Sequence, residues 1–127
     1  MDKSNNMFVP VHKVSTLEDV RAIEAEPLED RMPYQNIYEA LAAAADAEPD
    51  FPALTYISDM DPATTPVTWS RRDFMNRVTQ AANLFHDLGL GSTDVIAFLL
   101  PTLSETHVVL WGAETAAIAA PINYLLT

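Results

Sequence analysis

The chain has 127 residues and an acidic composition, with 7 Lys and Arg against 18 Asp and Glu and a formal net charge of −11. This charge argues against electrostatic binding to nucleic acid or to an anionic membrane surface. The absence of cysteine excludes a disulfide framework, a thiolate nucleophile and a cysteine-based metal site. No signal-peptide pattern opens the chain and no apolar run is long enough to span a bilayer, so we expect a cytoplasmic protein.

The first third of the chain is polar and rich in proline, and we expect it to add little to a core. Residues 1–14 show no sustained period and are predicted to form a mobile arm. The segment Thr16–Glu26 predicts a short helix, because its apolar residues recur at helical spacing and Thr16 with Asp19 fits a capping box. Residues 1–33 are therefore expected to be an arm and an acidic connector with one short helix.

Next along the chain, the pattern predicts a second helix and a β-hairpin. Asn36 fits an N-cap with Glu39 at the third helical position, and apolar residues follow on one face as far as Ala45. The apolar and β-branched content of Ala53–Ser58 predicts a strand, and Val67–Trp69 predicts the returning strand. We expect this hairpin to lie at the edge of a sheet.

The third helix has the strongest pattern. Ser70 fits its N-cap with Asp73 three residues on, and Gly89 follows where a left-handed C-cap is expected. Its predicted apolar stripe consists of Phe74, Val78, Ala81, Phe85 and Leu88. Gly89, Leu90 and Gly91 do not form a dinucleotide-binding fingerprint, because these glycines follow a helix and precede a strand.

The last third predicts a parallel β–α–β unit. The continuous apolar run Val95–Leu100 is typical of a strand covered on both faces. Thr102 and Glu105 fit a capping box at the start of a crossover helix, and Ala117–Ile122 predicts the second strand. Two parallel strands cannot close a core alone, so we expect an α/β fold in which residues 34–127 form an incomplete parallel sheet with flanking helices and an edge hairpin.

Few residues suggest chemistry, and each has a simpler structural explanation. Ser104 and His107 share a helix face, but nothing recognisable orients the histidine or forms an oxyanion hole. Trp69 and Trp111 are predicted to pack in the core rather than to stack on a ligand. The three histidines make no helical metal pair, and the acidic run of residues 24–30 lacks the pattern of a calcium loop. We predict no catalytic, cofactor-binding or metal-binding residue in this chain.

The sequence contains no phosphate-binding loop of its own. Its three glycines, Gly89, Gly91 and Gly112, do not have the spacing of a phosphate-binding loop, and its lysines are Lys3 and Lys13, both in the predicted arm. Ligands of open α/β sheets bind near the carboxyl ends of the strands, so the rule points to the neighbourhood of Thr102 and Asn123. Loop structure is the simpler role for both residues.

The order of elements resembles a known family. The segments AEPDFPAL, LTYIS, TWS, AANLFHDLGLGSTDVIAFLLP and ETHVVLWGAETAAIAAPIN together resemble the amino-terminal segment of the adenylate-forming, AMP-dependent acyl-CoA synthetases. The similarity covers Leu28 to Thr127 and is closest to the bacterial fatty-acid-type CoA ligases. In that family the crossover helix commonly ends in Ala-Gly-Ala, whereas this chain has Thr115, Ala116 and Ala117.

The resemblance implies a parent enzyme that activates a fatty acid with ATP and magnesium to an acyl-adenylate and passes the acyl group to coenzyme A. The family's catalytic motifs match no position here. We therefore expect the chain to be an inactive amino-terminal fragment of such a ligase, with the remainder of the parent as its partner. Self-association is expected from its uncovered parallel strands.

Two other interpretations remain open from the residues alone. One is a small, complete, acidic α/β module that binds a protein partner, and the other is a flavodoxin-like ligand-binding domain. Further coding sequence after Thr127, with a Ser/Thr/Gly-rich loop followed by lysine, would separate the ligase from both.

Overall fold

The computed structural model describes residues 14–59, 61, 63–123 and 125. The chain divides into two compact units, Met1–Asn36 and Ile37–Thr127. The predicted arm lies outside the described residues except for Val14. Among the described helices, none is long and apolar enough to cross a membrane.

The first unit contains two helices. Helix α1 spans Leu17–Glu24, and the predicted capping box at its start is confirmed. The Asp19 N–H donates to Thr16 Oγ1 at 3.2 Å, and the Thr16 N–H donates to the Asp19 carboxylate at 2.9 Å. Helix α2, Leu28–Arg31, lies inside the segment predicted as connector. The fixed φ of Pro27 and the acidic first turn both favour a helix start here, so a single short turn forms without an apolar period.

The second unit contains all the elements predicted after residue 34. In chain order they are α3 (Ile37–Ala47), β1 (Pro52–Tyr56), β2 (Val67–Ser70), α4 (Arg71–Asp87), β3 (Val95–Phe98), α5 (Ser104–Ala116) and β4 (Ile118–Pro121). The described strands form two separate two-stranded sheets, one antiparallel from β1 and β2 and one parallel from β3 and β4. The hairpin and the parallel β–α–β unit are therefore both confirmed. The hairpin does not lie at the edge of the parallel sheet as expected, because among the described residues neither β1 nor β2 pairs with β3 or β4.

Helix α4 is capped at both ends as predicted. The Asp73 N–H donates to Ser70 Oγ at 3.1 Å, and Gly89 has a φ of +83°. The Gly89 N–H donates to the carbonyl of His86, and the Leu90 N–H donates to the carbonyl of Phe85. These two hydrogen bonds define a Schellman motif. Gly89 thus ends the helix.

The apolar stripe predicted for α4 is wrong at its carboxyl end. Phe74 and Val78 are buried, and Ala82 is the third buried residue of the helix. Leu88 is 68% exposed, because it is the C-cap residue and lies one position beyond the last helical residue, Asp87.

The core of the second unit lies between the hairpin and helices α3 to α5. Trp69, Phe74 and Val78 form its buried centre. Half-buried residues from the surrounding elements pack against this centre: Leu41, Leu54, Val108 and Trp111. The core role predicted for Trp69 and Trp111 is therefore confirmed.

The crossover helix begins differently from the prediction. Its N-cap is Leu103, so Thr102 and Glu105 do not form the predicted capping box. Thr106 takes over instead: its hydroxyl donates to the carbonyl of Pro101 at 2.6 Å and accepts the Leu103 N–H at 3.3 Å. At the other end, Ala117 has a φ of −156°, an extended conformation open to any residue, so the turn into β4 needs no glycine.

Candidate functional site

Two shallow clefts beside the core and one face of the parallel sheet are surfaces in the described part of the second unit on which a site could be built. Each cleft contains an arginine, so the question for both is whether that cation is available to a ligand.

The first cleft, the Arg71 cleft, encloses about 250 Å³. Its lining residues come from α3, β1 and α4: Leu41, Ala44, Pro52, Ala53, Arg71, Phe74 and Met75. Arg71 Nη1 donates to Glu48 Oε2 at 2.8 Å and to the carbonyl of Ala44 at 3.3 Å, and its guanidinium lies 4.7 Å from the centre of the Phe51 ring. These contacts neutralise the cation and tie the end of α3 to the start of α4, so the residue is structural.

The second cleft, the Arg77 cleft, encloses about 280 Å³ between β2, α4 and α5. It is lined by Trp69, Arg77, Gln80, Ala81, Leu84, Glu105, Val108 and Val109. The Arg77 guanidinium lies 4.3 Å from the centre of the Trp69 ring, an arrangement that stabilises the cation on the aromatic face. Arginine therefore covers the ring face on which a ligand would have to stack.

Glu105 is a second charged group on this cleft. A hydrogen bond from its own backbone N–H and another from the Ser104 hydroxyl lower the pKa of Glu105, with a smaller contribution from Arg77, against an opposing effect of burial. The carboxylate is held ionised at the start of α5, where it favours the helix. Its role in this position is helix stabilisation.

The pair Ser104 and His107 does not form a catalytic dyad. The Ser104 side chain is buried, and its hydroxyl donates to Glu105 Oε2 at 2.8 Å. His107 is half-buried further along the first turn. His86 is exposed at the end of α4, and His12 lies outside the described residues.

The described residues contain no group of three or more His, Asp or Glu side chains placed to hold a metal ion. The acidic residues between α1 and the end of α2 are all exposed. Thr102 and Asn123, at the carboxyl ends of the parallel strands, are exposed too. Asn123 Oδ1 accepts the N–H of Leu125 at 2.9 Å, so this side chain closes a turn. The predicted loop role fits the turn that Asn123 closes.

The third surface is one face of the β3–β4 sheet. Val95 pairs with Ile118 and Ala97 with Ala120. The Ile122 N–H extends this pairing by donating to the carbonyl of Phe98. Residues on one face of a strand alternate, so this side of the sheet, which we name the outer sheet face, consists of Val95, Ala97, Leu99, Ile118, Ala120 and Ile122.

The outer sheet face corrects the expectation of a strand covered on both sides. Val95 is 58% exposed and Leu99 is 60% exposed, whereas Ile96, which points to the opposite side, is buried. The continuous apolar run is typical of a strand that is buried on both faces. In this structure the described elements cover only the face that carries Ile96. The sequence prediction that two strands cannot close the core is confirmed at the same place.

Comparison with known proteins gives these elements a context. No family model matches the chain. The marinolic acid–CoA ligase of Pseudoalteromonas sp. (strain SANK 73390) is 37% identical over 117 residues, which are 92% of this chain and 18% of the relative. The chain thus spans less than a fifth of the curated relative that it matches.

Solved structures place the same elements in similar proteins. A fatty acyl-CoA synthetase of Mycobacterium tuberculosis matches with a TM-score of 0.61 and 27% identity, over 72% of this chain and 17% of that one. The amino-terminal domain of FACL13 from the same organism matches with a TM-score of 0.61 and 26% identity, over 74% and 22%. Sequence and fold together match the amino-terminal segment of the adenylate-forming acyl-CoA synthetases. The predicted resemblance to the acyl-CoA synthetases is confirmed.

Proposed function

We propose that this chain is the first part of the amino-terminal domain of an AMP-forming acid–CoA ligase, in which it serves as scaffold. The proposal is carried by the 37% identity to a CoA ligase over nearly the whole chain, together with the small fraction of that ligase which the match spans. The fold supports the same role, since the buried polar side-chain atoms of the described residues all have hydrogen-bond partners and one face of the β3–β4 sheet is exposed.

The reaction proposed for the parent has two steps. A carboxylic acid and ATP form an acyl-adenylate with release of pyrophosphate, and the acyl group then passes to the thiol of coenzyme A with release of AMP. Fatty acids are the proposed substrate class, because the relatives with 25% identity or more are named for fatty acyl or acid–CoA ligation.

The described residues of this chain do not fit ATP with magnesium. The described residues hold no carboxylate cluster suited to a metal, and Lys3 and Lys13 are the lysines of the sequence and lie outside them. Adenylation needs positive charge beside the phosphates, and both described clefts have their arginine already paired or stacked. We therefore place no step of the reaction on the described residues and propose no catalytic residue among them.

The decisive test uses the whole protein encoded by the reading frame from which this chain comes. Purified whole protein should release pyrophosphate from ATP only when a carboxylic acid is added, and should form a thioester when coenzyme A is present. A series of fatty acids of increasing length, with acetate as the short member, identifies the preferred acid. The 127-residue chain is the matched control and should neither consume ATP nor bind it in calorimetry.

Two results would contradict the proposal. One is a whole protein that leaves ATP intact with every acid of the series, and the other is ATP consumption or saturable ATP binding by the 127-residue chain. Weak self-association of that chain and a cytoplasmic location belong to the proposal as well. The first follows from the exposed apolar residues of the outer sheet face.

A further inference from the structure

Carboxylates occupy the carboxyl ends of helices α3, α4 and α5. Asp46 lies in the last turn of α3, Asp87 is the last residue of α4, and Glu114 lies in the last turn of α5. All three are exposed. The last turns of α3 and α5 contain no basic residue, and the last turn of α4 contains His86. A negative charge at this end of a helix opposes the helix dipole, which favours cations there.

The cations of the second unit are concentrated in one place. Residues 37–127 contain eleven Asp and Glu, three Arg and no Lys, which gives a formal net charge of −8. The three arginines, Arg71, Arg72 and Arg77, all lie in the first half of α4, and Arg71 is already paired with Glu48. No lysine or arginine follows Arg77 in the sequence. The carboxylates at the helix ends therefore repel one another and the remaining carboxylates without a nearby cation to offset them.

Dissolved ions weaken both of these unfavourable effects. The Debye length falls from about 30 Å at 0.01 M salt to about 10 Å at 0.1 M and about 3 Å at 1 M. Salt also screens the interaction of an exposed charge with a helix dipole. Self-repulsion of a strongly charged chain destabilises its compact state, because unfolding moves the charges apart. Screening therefore favours the folded chain.

The favourable carboxylates at the helix starts lose less on screening. Asp73 Oδ2 accepts the Ser70 hydroxyl at 2.9 Å, and Glu105 Oε2 accepts the Ser104 hydroxyl at 2.8 Å. Direct hydrogen bonds of this length leave no space for an ion between the partners. Salt thus removes the penalty at the carboxyl ends of the helices while it preserves most of the gain at their amino ends.

We infer that the stability of the second unit is controlled by ionic strength, with Asp46, Asp87 and Glu114 as the responding groups. In dilute buffer these carboxylates weaken the folded state, and in concentrated salt they cease to do so. The mechanism is screening and requires no bound ion. The folded population is thereby coupled to the ionic strength of the surroundings, whatever reaction the parent protein performs.

Urea unfolding in a series of KCl concentrations tests the inference. The 127-residue chain is held at neutral pH and micromolar concentration, and unfolding is followed by the fluorescence of Trp69 and Trp111, which pack in the core. The folding equilibrium constant should rise at least about fivefold between about 0.01 M and about 0.5 M KCl and then level off. NaCl and choline chloride should give the same rise, since screening depends on ionic strength and not on the identity of the cation.

Two triple variants assign the effect to the helix ends. One removes the three carboxylates at the carboxyl ends, and the matched control removes three carboxylates from the first turns of α1 and α2, so that both change the net charge equally. The substitutions are Asp46→Asn, Asp87→Asn and Glu114→Gln in the first variant, and Glu18→Gln, Glu29→Gln and Asp30→Asn in the control. The helix-end variant should be more stable than the parent sequence at the lowest salt, and the logarithm of its gain from KCl should be less than half as large. The control should keep most of the gain of the parent sequence.

Several results would overturn the inference. Stability that is constant or falls as KCl is added would do so, as would an equal loss of the salt gain in both triple variants. A gain with KCl that choline chloride does not reproduce would show a bound cation in place of screening. A chain that is unfolded in dilute buffer and folds as KCl is added would support the inference, whereas a chain that stays unfolded at every KCl concentration would contradict it.

Discussion

At the scale of single residues, Gly112 sets how closely α5 approaches α4. A Cβ atom at this position would lie 2.6 Å from Ala81 Cβ and 3.3 Å from both the Ala82 nitrogen and the Val78 carbonyl oxygen. Two of these three neighbours are backbone atoms and the third is the short side chain of alanine, so none can turn aside. The glycine is required for helix packing and not for backbone freedom.

We expect Gly112→Ala to lower the free energy of unfolding. Alanine gains about 1 kcal/mol in helix propensity, but overpacking at a rigid contact costs about 1–3 kcal/mol. Thermal unfolding followed by circular dichroism measures the net loss. Gly91→Ala is the control, since the nearest atom to its Cβ would be Asp94 Oδ2 at 3.9 Å. An unfolding temperature equal to or above that of the parent sequence for Gly112→Ala would contradict this account of the packing.

Two consecutive arginines give a second prediction at this scale. Arg71 is 16% exposed in its side chain and makes two hydrogen bonds besides its ring contact, whereas Arg72 is 59% exposed and lies 3.5 Å from Asp50. Arg71→Ala should lower the free energy of unfolding by about 1–3 kcal/mol, because it leaves partly buried groups without their partner. Arg72→Ala, an exposed ion pair, should change it by less than about 1 kcal/mol. Denaturant titration separates the two, and equal losses would count against a special role for Arg71.

At the scale of elements, the start of α5 depends on groups that are neighbours along the chain. The pKa of Glu105 is lowered by its hydrogen bonds, so its carboxylate stabilises the fold at pH values above the ordinary pKa of a glutamate. That stabilisation is lost as the pH falls through the lowered pKa in the folded state. It should therefore be complete at neutral pH.

The test is Glu105→Gln. This variant should unfold more easily than the parent sequence at pH 7, and the difference should shrink as the pH is lowered into the acid range where the carboxylate of the parent protonates. Glu114→Gln, in the last turn of the same helix, is the control and should not destabilise the chain, because a carboxylate there opposes the helix dipole. A difference between Glu105→Gln and the parent sequence that persists unchanged at acid pH would refute the electrostatic explanation.

Helix ends also show how far local pattern predicts structure. The capping residues Thr16, Ser70 and Gly89 were predictable because each bonds to a group within four residues of itself. At α5 the same rule selected Thr102, but Thr106 satisfies the end groups from inside the helix, and the sequence contains both options. The choice depends on the position of the Pro101 carbonyl after β3, because the Thr106 hydroxyl donates to it.

At the scale of the whole molecule, the outer sheet face should make the 127-residue chain associate with itself weakly. A face two strands wide and five residues long covers roughly 160 Å², far less than the about 800 Å² that stable complexes bury on each partner, so we expect association only at high protein concentration. The net charge of −11 opposes association, so added salt should strengthen it.

Sedimentation equilibrium over a range of concentrations tests this. Leu99→Asp should reduce association, whereas Leu28→Asp, an equally exposed leucine in the first unit, should leave it unchanged. A monodisperse monomer at the highest concentration would refute the prediction. Association unaffected by Leu99→Asp would place the contact elsewhere.

Local and periodic features were determined by the sequence itself: the helices and strands of the second unit, the caps of α4, the parallel β–α–β unit and the family resemblance. Each depends on the spacing of apolar residues or on bonds between near neighbours, and both can be counted along a chain. The tertiary structure alone decided that Ala82 is buried and Leu88 is not, that Arg71 and Arg77 are occupied by protein groups, and which side of β3 remains uncovered. Those outcomes depend on which distant elements meet, and a one-dimensional pattern records that a residue is apolar without recording what packs against it.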